Sequence, residues 1–391
     1  MKAIDVFATV EAPSVARRTF ERTLALREMR QIEGPALFLS REMARRQIRA
    51  LAKALPEVGI YYAMKSNDHP SILSLVVEEG HSFDVCSIKE IEKCVDSGAD
   101  AATLLHTHPI KADYEISAAF AAGVRIFVVD NVDEIAKFEA YGDRVQLMVR
   151  FRALVSEEVE DLVQCDLSYK FGCAPREIPN LVSEIRSRGI GYAGLAFHVG
   201  SQCQSPAPYL KAVNLASDAI IALNAAGIRT EILDIGGGFP VEYLTPAPNI
   251  EEFCRPIRQA IASVIPQGVK IICEPGRFIS APAATLVANV VGKSLRGGKT
   301  WYYLDDGVYG SFSGRLYDHC AYQALTNRNT TWSHCVLAGP TCDSVDIIYE
   351  NILLPPLEIG DALVFPAMGA YCAVSASDFN SLRKAQVIVI D

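Results

Sequence analysis

Reactive side chains in this chain gather where apolar runs end. Gly59 to Asn67 reads GIYYAMKSN: Ile60, Tyr61, Tyr62 and Ala63 are strand-type residues, and Lys65 follows just before a polar exit. A cation at the end of a buried strand is costly to desolvate unless it is paired or neutral. Later apolar runs also end in polar groups: Asp84 with Ser87, His106 with His108, Asp130, Arg150, His198 with Ser201, Gly236-Gly237-Gly238, and Glu274 with Gly276 and Arg277. The glycine triplet can offer backbone N–H groups to a phosphate, and Arg277 adds a guanidinium fork. A phosphate subsite beside a lysine predicts a phosphorylated carbonyl held as a Schiff base, and pyridoxal 5'-phosphate is the candidate. Glu274 would then keep the pyridine nitrogen protonated, or else serve as a structural partner for Arg277. His198 would stack on the ring, where a lone histidine is otherwise more often a satisfied core residue.

These groups need a frame that brings strand ends together. Strand-like runs occur at Gly59–Asn67, Ser82–Ser87, Thr103–Pro109, Arg125–Asp130, Val145–Phe151, Gly191–Ser201, Glu231–Gly238 and Lys270–Arg277. Helical patterns separate them, each closing on a glycine from Gly80 to Gly268, the usual left-handed cap. Eight buried strands alternating with helices predict a (β/α)8 TIM-type barrel over 41–280, whose active site lies at the C-terminal strand ends. An open doubly wound sheet is the competitor. The stretch Ala153–Lys170 is longer than its helix requires and reads as a solvated loop or a lid. Beyond 280, strands at Ala284–Leu295, Thr300–Asp306, His334–Gly339, Asp361–Ala367 and Ala385–Asp391 predict a C-terminal all-β domain over 281–391, sandwich-like or barrel-like. The N-terminal segment 1–40, through the strand Leu37–Ser40, is expected to complete it.

Composition narrows the classes. With 391 residues, 50% hydrophobic and 21% charged, the chain describes a two-domain globular protein. A net charge of −9 argues against nucleic acid and anionic membranes and is permissive for a cationic substrate. The eleven cysteines are scattered and form no C-x-x-C pair, so no metal site is expected and reduced thiols in the cytoplasm are. No apolar run approaches spanning length, and the N-terminus lacks a leader's apolar core.

The segments AMKSN, SFDVCS, VRF, SYKFG, FHVGSQ, LDIGGGFP and CEPGR resemble the fold-type III pyridoxal-phosphate decarboxylases. DDGVYGSF, LYDH, AGPTCDSVDII, GDALVFPAMGAY and DFN extend the resemblance through the second domain, closest to the ornithine/lysine decarboxylase branch. The resemblance implies that Lys65 carries the cofactor, His198 stacks on its ring and Glu274 pairs with its nitrogen. It implies Ser201, Gly238, Arg277 and Tyr371 around the phosphate, with Gly236, Gly237 and Gly276 in the same motifs, and Asp84 and Arg150 as supports. Cys342 becomes the acid that reprotonates the substrate α-carbon. Asp318 and Asp343, with Tyr317 beside them, bind the distal amino group. Cys342 and Asp343 act in the neighbouring subunit's site, which implies a homodimer with shared active sites.

The implied reaction is decarboxylation of L-ornithine to putrescine. Lysine, diaminopimelate or a modified diamino acid are the alternatives, and Cys342-Asp343-Ser344 stands against diaminopimelate, whose enzymes carry a Cys-Glu-Ser motif there. Two departures stand out. Phe379-Asn380-Ser381-Leu382 replaces a Phe-Asn-Gly-Phe motif, and Arg315 stands three residues before Asp318. Arg315 is expected to point to solvent; turned inward, it would favour a substrate with an anionic or masked far end.

Overall fold

The computed structural model describes residues 14–153, 170–328 and 330–391. Ala153–Lys170, the predicted lid, falls almost entirely outside the described residues. The chain divides into two compact units, one of residues 45–240 and 247–279 and one of residues up to 44, 241–246 and 280–391.

The first unit is a closed barrel of eight parallel strands: β2 (Val58–Ala63), β3 (Ser82–Val85), β4 (Leu105–His106), β5 (Ile126–Val129), β6 (Gln146–Arg150), β7 (Gly191–Ala196), β8 (Ile232–Asp234) and β9 (Lys270–Cys273). Val58 pairs with Ile271, which closes the ring between the first and last strands. Leu105, Val128, Met148, Ala193, Ala196 and Ile272 meet as one buried cluster, the packed interior that eight strands of this kind enclose. The helices between strands bury one apolar face each. Along Ile178–Ser187, for example, Ile178, Leu181, Val182 and Ile185 are buried at three- and four-residue spacing. The predicted terminating glycines, Gly80 through Gly268, all have positive φ.

Each predicted barrel strand is present, but shorter at its C-terminal end. Lys270–Arg277 contracts to Lys270–Cys273, and Gly191–Ser201 to Gly191–Ala196. The residues past each end leave the ladder, so their backbone and side chains serve the loops instead.

The second unit is built on a seven-stranded sheet. Its strands are β1 (Ala36–Leu39), β10 (Ala284–Arg296), β11 (Lys299–Leu304), β12 (Ser333–Ala338), β13 (Ile347–Leu354), β14 (Ala362–Phe365) and β15 (Gln386–Val389). Their order is β13-β12-β11-β10-β1-β15, with β14 also on β10. The N-terminal strand does complete the sheet: Leu37 pairs antiparallel with Leu286 and parallel with Val387. Strand β13 escapes the sequence reading. Exposed Glu350 interrupts its apolar alternation, and its pairing with β12 shifts register at two points. Among the described residues, no helix is long and apolar enough to cross a membrane.

Candidate active site

Lys65 lies on a 3-10 turn, Met64–Ser66, immediately after β2. The turn is held from inside: the Tyr62 hydroxyl donates to the Asn67 carbonyl at 3.0 Å and accepts from Ser66 Oγ at 3.0 Å. Ala63 N–H donates to the Pro275 carbonyl at 3.1 Å, tying the exit of β9 to this turn. Gly276 packs under it, where an added Cβ would lie 3.0 Å from Ser66 Cβ.

The Lys65 ammonium pairs with Asp84 on β3. The Asp84 side chain is completely enclosed, whereas that of Lys65 is 40% exposed, so the amine is anchored at a buried carboxylate yet open to a ligand. The other Asp84 oxygen accepts the hydroxyl of buried Thr107.

A narrow pocket opens here, lined by Thr107, Arg150, Phe197, His198, Asp234 and Glu274 among others. His198 Nδ1 accepts the Gly200 N–H at 3.0 Å, which fixes the ring's orientation. Burial first, then the Arg150 and Lys65 charges, hold its pKa well below the ordinary histidine value, so the ring is neutral. Glu274 and Asp234 are buried together and hydrogen-bonded to each other. Desolvation, then the Asp234 and Asp84 charges, push the Glu274 carboxyl well above the carboxylate range, and burial raises Asp234 to about 6. Two buried acids competing in this way retain a proton until a cation reaches them.

The turn after β8 is glycine because nothing larger fits. A Cβ on Gly237 would lie 2.4 Å from the Glu274 carbonyl and 3.2 Å from His198 Nε2, and one on Gly238 (φ +105°) 2.2 Å from the Gly200 carbonyl. The Gly236 N–H donates to Asp234 Oδ1 at 2.8 Å, tying the turn to the carboxylate pair. Arg277 Nη2 donates to Ser201 Oγ at 3.3 Å, which places a guanidinium and a hydroxyl side by side.

This set fits pyridoxal phosphate on its own chemistry. It offers an accessible amine, a neutral flat ring, a buried acid suited to a ring nitrogen, and an Arg–Ser pair beside a side-chain-free glycine turn suited to a phosphate.

Three predicted strand-end groups are engaged elsewhere. His106 is buried against Phe127, ring centroids 5.6 Å apart, and His108 turns to the Ile110 carbonyl. Asp130 accepts the Gly172 N–H at 2.9 Å as a loop tie. Conversely, Thr107 and Asp234 were not picked out from sequence. Asp234 had a signal, an acid directly before the Ile-Gly-Gly-Gly turn; Thr107, between two histidines, had none.

The remaining predicted residues belong to the sheet unit. Cys342 is exposed, and its N–H donates to Asn380 Oδ1 at 3.1 Å. The Tyr309 hydroxyl donates to Asp343 Oδ2 at 2.5 Å and Val345 N–H to Oδ1 at 3.0 Å, and the two, Tyr309 first, hold the Asp343 carboxyl below its ordinary range. The Tyr309 ring stacks on Phe379, centroids 4.5 Å apart. Buried Asp346 secures the base of the same loop, accepting from Val308 N–H at 2.8 Å and Thr341 Oγ1 at 2.7 Å. Asn380 and Ser381 both take left-handed backbone, φ +54° and +52°, so the departed motif keeps a glycine-like turn with a serine in it.

Tyr371, φ +57°, accepts Ser313 Oγ on its carbonyl at 3.1 Å. Tyr317 and Asp318 end the short helix Gly314–Tyr317, with Tyr317 69% exposed. Arg315 is part-buried and does not point to solvent. Its Nε donates to the Ile348 carbonyl at 2.9 Å, its Nη1 to the Cys320 carbonyl at 2.8 Å, and its Cζ lies 4.3 Å from the Tyr349 ring centroid.

Comparison with known proteins agrees with this chemistry. Residues 41–281 match the family described as "Pyridoxal-dependent decarboxylase, pyridoxal binding domain". The chain is 33% identical to the lysine/ornithine decarboxylase of Selenomonas ruminantium over 371 residues, covering 95% of this chain and 92% of the relative. It is 33% identical to the ornithine decarboxylase of Mus musculus over 362 residues, 86% and 76% of the two chains. The crystal structure of lysine/ornithine decarboxylase complexed with putrescine from Vibrio vulnificus superposes with a TM-score of 0.88 at 40% identity, covering 97% of this chain and 99% of that one. The chain belongs to the pyridoxal-dependent decarboxylase family and is a pyridoxal-phosphate enzyme that decarboxylates a basic amino acid.

Proposed function

We propose that the substrate is a free diamino acid, L-ornithine first and L-lysine second, and that the product diamine supplies polyamine synthesis. The observation that carries this reading is Asp343, a carboxylate held by the Tyr309 hydroxyl and the Val345 N–H next to an exposed thiol. A terminal ammonium needs such an anion, and Asp318 would be the second. Arg315 supports the same choice: its guanidinium is committed to two carbonyls and a tyrosine ring, which disfavours a substrate with a distal carboxylate.

Lys65 would hold the cofactor and Glu274, backed by Asp234, would meet its ring nitrogen. His198 would cover the ring face, and Arg277, Ser201, Gly237, Gly238 and Tyr371 would receive the phosphate. When bound, pyridoxal phosphate supplies an electron sink for the carbanion left by carbon dioxide. Asp84 holds Lys65 in place, and neutral His198 avoids setting another cation beside Lys65 and Arg150. Cys342 would deliver the proton to the substrate α-carbon. Its ordinary partners in this work would be on a second copy: we propose a cytoplasmic homodimer in which Cys342 and Asp343 of one subunit complete the other's barrel site. Exposed Tyr317, Val345, Phe379 and Leu382 on the sheet unit, and ten described cysteines all free, support that arrangement.

Assay against ornithine, lysine, arginine, diaminopimelate and diaminobutyrate tests the reading. The expected order has ornithine or lysine leading by at least tenfold in kcat/KM. Diaminopimelate leading would overturn it.

A further inference from the structure

The turn that carries Tyr317, Asp318 and His319 is a tight reversal. Asp318 N–H and Cys320 N–H both donate to the Gly314 carbonyl, at 3.2 and 3.0 Å, and His319 sits at φ +52°. A side chain ties it from behind. Arg315, on the incoming side, reaches the Cys320 carbonyl on the outgoing side at 2.8 Å and the Ile348 carbonyl of β13 at 2.9 Å. Its guanidinium lies over Tyr349, which is 2% exposed and whose own hydroxyl donates to the Tyr322 carbonyl at 2.7 Å. Both ends of the turn and the strand behind it are thereby fixed to one planar fork.

Arginine suits this task, because its planar fork sends divergent N–H groups to two carbonyls while its flat face stacks on a ring. A lysine ammonium has donors enough for two carbonyls but no flat face to lie on Tyr349.

We propose that Arg315 is a positioning residue for Asp318, and that this clamp sets how strongly the enzyme prefers a substrate with a distal ammonium. The proposal rests on the reading that Asp318 meets that ammonium. Arg315 itself does not touch substrate; it removes the freedom of the turn that presents the acid. A carboxylate displaced by about 1 Å from its partner loses much of a short-range, charge-assisted bond.

The test uses holoenzyme and two ligands differing only at the far end: KM for ornithine and the inhibition constant of norvaline, which lacks the distal amine (lysine and norleucine if lysine proves the better substrate). Asp318→Ala, Arg315→Met, Arg315→Lys and the Arg315→Met/Asp318→Ala double variant are compared with the parent. Asp318→Ala is expected to raise the ornithine KM while norvaline binding changes less than twofold. Arg315→Met is expected to raise the ornithine KM about tenfold, with norvaline binding and bound-cofactor absorbance unchanged. Arg315→Lys is expected not to restore the parent KM. The double variant is expected to be no worse than Asp318→Ala alone, because a clamp is worthless once its cargo is gone.

Equal losses for ornithine and norvaline, or additive effects in the double variant, would overturn the clamp and leave Arg315 a folding residue. Tighter ornithine binding in Arg315→Met would also overturn it, showing the cation acting on substrate directly. If Asp318→Ala leaves the ornithine-to-norvaline ratio unchanged, the substrate role of Asp318 fails first, and the clamp falls with it.

Discussion

Glu274 and Asp234 share one buried hydrogen bond, with Asp234 also accepting the Gly236 N–H at 2.8 Å. This joins the turn after β8 to the loop after β9 and sets two acids where burial opposes their ionisation. Both carboxyls are raised in the folded protein, Asp234 to about 6. A carboxyl with a raised folded pKa stabilises the fold below its unfolded pKa, and that contribution is lost as pH rises through the folded value.

The cofactor-free protein should therefore lose stability from about pH 4 upward through pH 6 and beyond as this pair is forced to ionise. Glu274→Gln removes one titrating acid. Its apoenzyme should melt about 2 °C or more above the parent at pH 8, with the gap shrinking at pH 5. Its affinity for pyridoxal phosphate should fall. A gap that is equal or larger at pH 5 would contradict the assignment.

Lys65 should be the residue that borohydride fixes to the cofactor. Digestion of reduced holoenzyme should place the label on the Lys65 peptide. Lys111 is the instructive control: buried, it donates to the carbonyls of His108, Pro109 and Val128, and burial lowers it to about 7, yet it is only 3% exposed. Label on Lys111 would contradict the assignment of Lys65.

Much of this site was legible because barrel chemistry sits where strands stop. Lys65, Asp84, Arg150, His198 and Glu274 could be read as polar exits from apolar runs, and the terminating glycines marked the intervening helices. Strand ends did not distinguish residues facing the pocket from residues facing the helices. His106 and Thr107 are adjacent, and alternation sends one against Phe127 and the other to Asp84. The Arg315 clamp was equally hidden, because its carbonyl partners belong to backbone, which carries no residue-type signal. Asn380 and Tyr309 were missed for a related reason. Their contacts with Cys342 and Asp343 span 38 and 34 positions in sequence.

Thr107→Val removes the hydroxyl that Asp84 accepts on Oδ1, leaving the carboxylate's described bond to Lys65 to carry more of its charge. Lys65 should then be held more tightly. Its acylation in apoenzyme, followed by peptide mapping, should be slower in the variant. An unchanged rate would assign Thr107 to packing alone.

Shared sites predict complementation. Lys65→Ala and Cys342→Ala proteins, each inactive, should recover up to about a quarter of parental activity when mixed at equal amounts, since half the dimers are mixed and each holds one intact site. No recovery, with exchange of subunits demonstrated, would mean that each chain completes its own site.

The most direct test of the distal-ammonium reading is the effect of Asp343→Asn on holoenzyme. The substitution keeps the shape at Tyr309 and Val345 while removing the charge. The expected result is a fall of roughly 10²-fold in kcat/KM for ornithine or lysine, as for loss of one member of a desolvated charge pair, with bound-cofactor absorbance unchanged. Parental kcat/KM for both diamino acids in Asp343→Asn would contradict it.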